Sequence, residues 1–255
     1  MKRTLALIYG LLGYGFFLGT FLYAIGFVGN VGVPKSVDSG PASSVETAAL
    51  LDVLLLGLFA VQHSVMARQG FKRRWARLVR WPVERTTYVV AASLALALLL
   101  WQWRSIPRVV WDVSGTPVQP LLRASFWVGW GILLVSTFLI DHFDLFGLAQ
   151  VWAYFRGREN RRPIFKTPAL YRVVRHPIYL GFVIAFWSTP RMTAGHLMFS
   201  IVTTGYILLG IYFEEGDLIA SYGQSYRDYR RRVPMLIPFS KRPERPQEQA
   251  KTTTA

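Results

Sequence analysis

The sequence predicts an all-α, polytopic transmembrane helical bundle: four spans followed by a C-terminal helix-turn-helix hairpin, with both termini cytoplasmic. Two observations carry this. The 255 residues are 52% hydrophobic and only 17% charged, with a mean hydropathy of +0.29, against about 25% charged residues in soluble domains. The net charge of +15 is gathered into short basic blocks between long apolar runs. That is the positive-inside arrangement of a membrane protein rather than the basic face of a nucleic-acid binder.

The first apolar run, residues 5–28, follows Met1-Lys2-Arg3. Its length exceeds the apolar core of about 7–15 residues in a signal peptide, so a retained first span is expected. A Gly, Pro and Ser-rich loop leads to a second span at 50–66, with Asp52 in its first turns read as an interfacial acid that reaches water. Its far end, Gln62-His63-Ser64, is polar. Residues 68–85 then carry seven basic side chains, Arg68, Lys72, Arg73, Arg74, Arg77, Arg80 and Arg85, against the lone Glu84. This block is the strongest cytoplasmic marker in the chain. A third span is expected at 86–103, closed by Trp101 and Trp103, and a fourth at 124–140. The stretch from Asp141 to Leu148 is amphipathic and is expected to lie along the cytoplasmic surface before the basic loop 156–166.

The last apolar part breaks at Ser188-Thr189-Pro190-Arg191. Residues 178–187 are too few to cross a bilayer, which takes about 20, whereas 193–213 are enough. Together they read as a hairpin returning to its own side. Residues 1–240 form one membrane domain, its cofactor half at about 141–238, and the Pro, Glu and Gln-rich tail 241–255 has nothing to fold around. The chain has no cysteine and four histidines without metal-ligand spacing, so neither a thiolate nucleophile nor a metal site is expected.

Four polar groups converge on one membrane face. They are His63 at the end of span two, Asp141 and His142 after span four, Arg175, His176 and Tyr179 at the hairpin's mouth, and Glu214, Glu215 and Asp217 at its exit. Pro177 suits the first turn of a helix, whose N-terminus carries partial positive charge. His176 and Tyr179, three residues apart, share a helix face. Glu214 and Glu215 fall at the C-terminus of the expected helix, where the macrodipole disfavours anions, so a cationic or hydroxyl-rich partner is expected. S-adenosylmethionine suits this set: its carboxylate matches Arg175, and its ribose hydroxyls or ammonium match the glutamates. Read from the residues alone, ordinary juxtamembrane salt bridges account for the same pattern equally well.

Arg175-His176-Pro177-x-Tyr179-x-Gly181, an apolar stretch, Glu214-Glu215-x-x-Leu218 and Tyr226-x-x-Tyr229 resemble the isoprenylcysteine carboxyl methyltransferase and phospholipid N-methyltransferase superfamily of integral-membrane methyltransferases. Gly216 stands where that family often has a basic residue. The resemblance implies that Arg175, His176, Tyr179, Gly181, Glu214 and Glu215, with Tyr171 and Tyr154, bind S-adenosyl-L-methionine and release S-adenosyl-L-homocysteine. The segments Phe59 to Ser64, Glu84 to Tyr88, Trp101 to Arg104, His142 to Leu148 and Trp187 to His196 are similar to the bacterial methanethiol S-methyltransferase family, in the group related to NnrU-like membrane proteins. That likeness implies a small volatile thiol as acceptor, dimethyl sulfide as product, and the bacterial inner membrane as location.

A thiol reacts as its thiolate, so a base is expected to help. His63 and His142 are the candidates, with Asp141 orienting a histidine or acting directly; the plainer reading has both histidines bonded to backbone carbonyls at helix ends. Phe186, Trp187 and Tyr206 are expected to line a small apolar substrate pocket. His196, near the hairpin turn, is given a structural role. Two other readings fit the same sequence: a methyltransferase acting on a lipid or isoprenoid acceptor, and a non-catalytic NnrU-like accessory protein or transporter.

Overall fold

A computed structural model describes residues 2–41, 43–79, 81–158 and 165–240. The 241–255 tail, and part of the 156–166 loop, lie outside the described residues. The chain forms α1 (Arg3–Gly29), α2 (Val45–Ala67), α3 (Gln69–Trp75), α4 (Glu84–Gln102), β1 (Val109–Asp112), α5 (Val118–Ile140), α6 (His142–Leu145), α7 (Leu148–Phe155), α8 (Pro177–Trp187), β2 (Arg191–Thr193), α9 (Ala194–Tyr222) and α10 (Gln224–Arg232). Five of these helices, α1, α2, α4, α5 and α9, are long and apolar enough to cross a membrane. Four coincide with the expected spans, and the fifth is the long arm of the hairpin.

Local chemistry sets the ends. Ser44 caps α2 by accepting the Thr47 N–H at 3.2 Å, and Thr193 caps α9 by accepting that of His196 at 3.1 Å. Pro177 occupies the first turn of α8, as its missing N–H favours. With 11 residues, α8 rises only about 16 Å at 1.5 Å per residue. It packs along α5 and hands the chain to α9 through β2.

Three features depart from the sequence reading. The fold is not purely helical: β1 and β2 pair antiparallel, with Val109 opposite Thr193 and Asp112 opposite Arg191. Pairing unites two loops that looked unrelated, and the Trp111 indole N–H adds a bond to the Thr189 carbonyl at 3.2 Å. Next, Asp52 does not reach water. It is fully buried, its Oδ1 accepting the Arg104 N–H at 2.9 Å, so it pins the chain leaving α4 to α2. Last, α9 does not stop near Phe213 but runs 29 residues to Tyr222. Glu214 and Glu215 therefore lie inside the helix, about two turns from its end, and the unfavourable dipole expected there does not act on them.

The core centres on Trp103, fully buried and edge-on to Phe27 at 5.9 Å and to Phe199 at 5.8 Å, its indole N–H bonded to the Val37 carbonyl. At this end His196 bonds the Phe186 carbonyl at 3.0 Å and faces Asp38. Burial alone would raise the Asp38 carboxyl. The His196 ring facing it and hydrogen bonds from Thr193 and Asn30 outweigh it and hold Asp38 below the usual carboxylate range. The opposite end gathers the N-terminus of α1, the basic segment after α2, the α6–α7 pair, the mouth of α8 and the last turns of α9.

Candidate active site

The two halves of the sequence motif close into one buried ionic junction. Arg175 Nε donates to Glu215 Oε1 at 2.7 Å, and Nη2 stands 2.7 Å from the same oxygen. Nη1 donates to the carbonyls of Arg230 at 3.1 Å and Val233 at 2.5 Å. One N–H from Nε, one from Nη2 and two from Nη1 make four of the guanidinium's five donors. Glu215 also meets His176 Nε2 at 3.2 Å through Oε1 and Arg230 Nε at 3.3 Å through Oε2. The backbone completes the join, with the N–H groups of Arg175 and His176 bonded to the Pro234 and Met235 carbonyls at 2.9 and 3.3 Å. The side chains of Arg175 and Glu215 are 5% and 9% exposed. A pair this dry holds only when both charges are satisfied, and here they are.

Glu214 behaves differently. Its carboxylate is half-exposed, its Oε2 lies 3.8 Å from His176 Nδ1, and that oxygen, itself buried, has no hydrogen-bond partner among the described residues. Tyr179 places its hydroxyl against the same carboxylate and its ring 5.7 Å from that of His176. On α10 the Tyr226 hydroxyl is also buried with no hydrogen-bond partner among the described residues. Burial, and then the Glu215 charge, hold it protonated well above the usual range. An unsatisfied acceptor and an unsatisfied hydroxyl beside one junction are what a ligand rich in donors and acceptors would complete. Tyr226 and Arg230 are the residues the sequence reading left without a role; the Tyr226-x-x-Tyr229 spacing was their visible signal.

The other expected site residues fall into separate groups. Tyr171 belongs at the junction: its carbonyl accepts from Tyr229 Oη at 2.6 Å, and its hydroxyl donates to the Ser136 carbonyl at 3.4 Å. Tyr154 packs edge-on against Trp81, on α7 beside α1. Gly181 is at the crossing of α5 and α8, where a Cβ would lie 2.6 Å from the Gly129 carbonyl oxygen. Phe186 is a core residue between Trp130 and Phe199, and Trp187 donates to Thr204 Oγ1 at 3.0 Å. Thr204 is ten residues before Glu214, about 15 Å along α9, so these two do not group with the junction. Tyr206 is bonded to Ser64 at 3.1 Å and lies within electrostatic reach of Tyr179.

His142 sits in an aromatic cage. Asp141, at φ 132°, turns α5 sharply into α6 and points the imidazole inward. Nδ1 meets Thr137 Oγ1 at 2.8 Å, Nε2 meets Tyr14 Oη at 2.8 Å, and Phe138 stacks at 4.3 Å. The Asp141 carboxylate itself is turned to the backbone, its Oδ1 accepting the Asp144 N–H at 3.1 Å. Burial lowers the His142 pKa from its ordinary 6.5. The unfolded chain therefore binds the proton more readily, so this contribution to stability is whole above the ordinary value and is lost as pH falls through the interval beneath it. Thermal unfolding in detergent should show stability dropping as pH falls below the ordinary histidine value of 6.5, and His142→Gln should flatten that drop.

Membrane-length helices and an Arg-His-Pro-x-Tyr motif closed onto a Glu-Glu pair match the pattern of the integral-membrane methyltransferases that the sequence resembles. A family model described as "Protein of unknown function (DUF1295)" matches residues 52–233, and a methanethiol S-methyltransferase of Mycobacterium tuberculosis is 56% identical over 242 residues, 95% of this chain and 99% of that protein. The chain belongs to the methanethiol S-methyltransferase family. A protein of that name from Crocosphaera subtropica is 54% identical over 239 residues, 94% of each chain. The rat protein nurim is a more distant relative, 28% identical over 184 residues, 69% of this chain and 70% of its own. No solved structure matches the chain.

Proposed function

We propose that the protein transfers a methyl group from S-adenosylmethionine to methanethiol, giving dimethyl sulfide and S-adenosylhomocysteine, in the bacterial inner membrane. In this reading the ionic junction and both termini are on the cytoplasmic side, where the basic blocks place them by the positive-inside rule. The observation that carries the proposal is the unsatisfied pair beside the junction, Glu214 Oε2 and Tyr226 Oη, in a chain more than half identical to methanethiol S-methyltransferases along nearly its whole length.

The residues fit the methyl donor. Glu214 accepts from its ribose hydroxyls or ammonium, Tyr226 offers a hydroxyl, and His176 and Tyr179 give aromatic faces. Arg175 serves by holding Glu215 and the α9–α10 corner, because four of its five N–H groups are already engaged. When bound, the donor supplies an electrophilic methyl on a sulfonium. The protein's part is to align the thiol sulfur with that methyl in a dry pocket and to accept the thiol proton. A lipid-soluble thiol needs no charged recognition site, and the bilayer can deliver it.

The purified protein in detergent should produce dimethyl sulfide, detected in the headspace, from methanethiol and S-adenosylmethionine. Calorimetry should show S-adenosylhomocysteine binding that weakens in Glu214→Ala. Absence of binding by the wild-type protein overturns the cofactor assignment; binding without dimethyl sulfide overturns the acceptor.

A further inference from the structure

The two candidate bases are held in different ways. Both ring nitrogens of His142 are engaged, by Thr137 and Tyr14. His63 meets a single side-chain hydroxyl among the described residues: Tyr88 Oη lies 3.0 Å from Nε2 and 3.2 Å from Nδ1. That oxygen can accept the N–H of one tautomer, and the second ring nitrogen then keeps its lone pair. The imidazole is further fixed by Phe59, stacked on it at 5.4 Å.

His63 also neighbours the junction. The next residue, Ser64, bonds Tyr206 on α9. Tyr179, whose hydroxyl touches Glu214, is within electrostatic reach of both Tyr206 and Tyr88. Tyr206 and Glu214 are eight residues apart on α9, two turns and about 12 Å, and so share a helix face. Gly210 lies midway between them, and a side chain there would meet nothing within 4 Å. This helix face, open at Gly210, links the His63 group to Glu214.

We propose that this stretch, bounded by His63, Tyr88, Tyr206 and Tyr179, receives a small alkyl thiol, that His63 takes its proton, and that Tyr88 is the positioning residue for the imidazole. The inference rests on the methyltransferase reading above and adds where the acceptor sits. The S–H bond breaks with its proton passing to the free ring nitrogen of His63. The thiolate sulfur then bonds the methyl carbon as that carbon's bond to the sulfonium breaks, and the leaving sulfur keeps the electron pair. The imidazolium returns its proton to water at the basic end of the bundle. The charged and titratable groups around it are Arg85 and Tyr88 from α4, Tyr206 from α9, Tyr179 from α8, and the Arg68–Asp217 pair at the mouth.

The test measures methanethiol turnover against pH alongside S-adenosylhomocysteine binding, in the full-length protein. His63→Gln should lower kcat about 100-fold near neutral pH, with the deficit shrinking as alkaline pH ionises the thiol unaided. Tyr88→Phe should lower kcat with little change in KM and move the acid limb of the profile. Both should bind S-adenosylhomocysteine as the wild type does. Gly210→Leu, whose Cβ meets nothing within 4 Å, should raise KM for methanethiol and reject longer thiols. Wild-type turnover in His63→Gln, an unmoved profile in Tyr88→Phe, or unchanged KM in Gly210→Leu each overturns the proposal. Failure of the wild-type protein to bind S-adenosylhomocysteine would instead remove the underlying function.

Discussion

Glu215→Ala should be the most damaging single substitution in the C-terminal half, and the damage should reach stability as well as binding. The carboxylate answers Arg175, His176 and Arg230 together. Without it the Arg175 guanidinium, 5% exposed, keeps its two carbonyl partners but has no counter-charge. Removing one member of a buried ion pair costs about 3–5 kcal/mol, a large part of what an ordinary fold has to spare. Thermal unfolding in detergent should register that loss, and S-adenosylhomocysteine binding should vanish with it. Glu214→Ala provides the contrast. That carboxylate is 44% exposed and answers no buried charge, so stability should barely move while affinity falls. An unchanged unfolding temperature in Glu215→Ala would make Glu215 a ligand rather than a strut.

The contrast between adjacent glutamates shows what kind of information the sequence holds. The spans were legible because each is a long apolar run whose length must match a bilayer, and Pro177 announced the start of α8 through its own chemistry. The pairing of the Arg-His-Pro-x-Tyr and Glu-Glu segments was legible as well, since both sit at the ends of hairpin arms that return to one side. The division of labour inside the pair was not. Arg175 takes its remaining partners from the carbonyls of Arg230 and Val233, and no side-chain pattern announces a backbone acceptor. The hold on His142 was not legible for a related reason: Thr137, one turn before Asp141, and Tyr14, on a different helix, engage its two ring nitrogens. Pairing of β1 with β2 joins residues some eighty positions apart, with too few residues in each strand to show an alternating pattern. The end of α9 was set too early because the carboxylates were taken as its boundary, whereas Arg175 and Arg230 neutralise Glu215 within the helix and let it run on.

Gly181 shows how a motif residue can matter without touching a ligand, and its substitution is the second large expected effect. A Cβ at Gly181 would lie 2.6 Å from the Gly129 carbonyl oxygen and 2.8 Å from the Leu133 nitrogen. A Cβ at Gly129 would lie 2.7 Å from both the Gly181 oxygen and the Ala185 nitrogen. These are backbone atoms of two packed helices, so no rotamer change relieves the clash; α8 must move away from α5. Overpacking a tight site costs about 1–3 kcal/mol and more where nothing can yield, so Gly181→Val should fall at or beyond the upper end. Because α8 carries His176 and Tyr179 at its mouth, the displacement should also spoil the junction. Gly129→Val supplies the decisive comparison, since Gly129 is outside the motif and at the same contact. If Gly181 acts through packing, both variants should lose unfolding temperature and S-adenosylhomocysteine affinity in parallel. If Gly181 instead gives the cofactor room to approach, Gly181→Val should lose affinity at nearly wild-type stability while Gly129→Val loses both. The mutual approach of the two glycine backbones, each filling the space a side chain would need in the other, favours the first outcome.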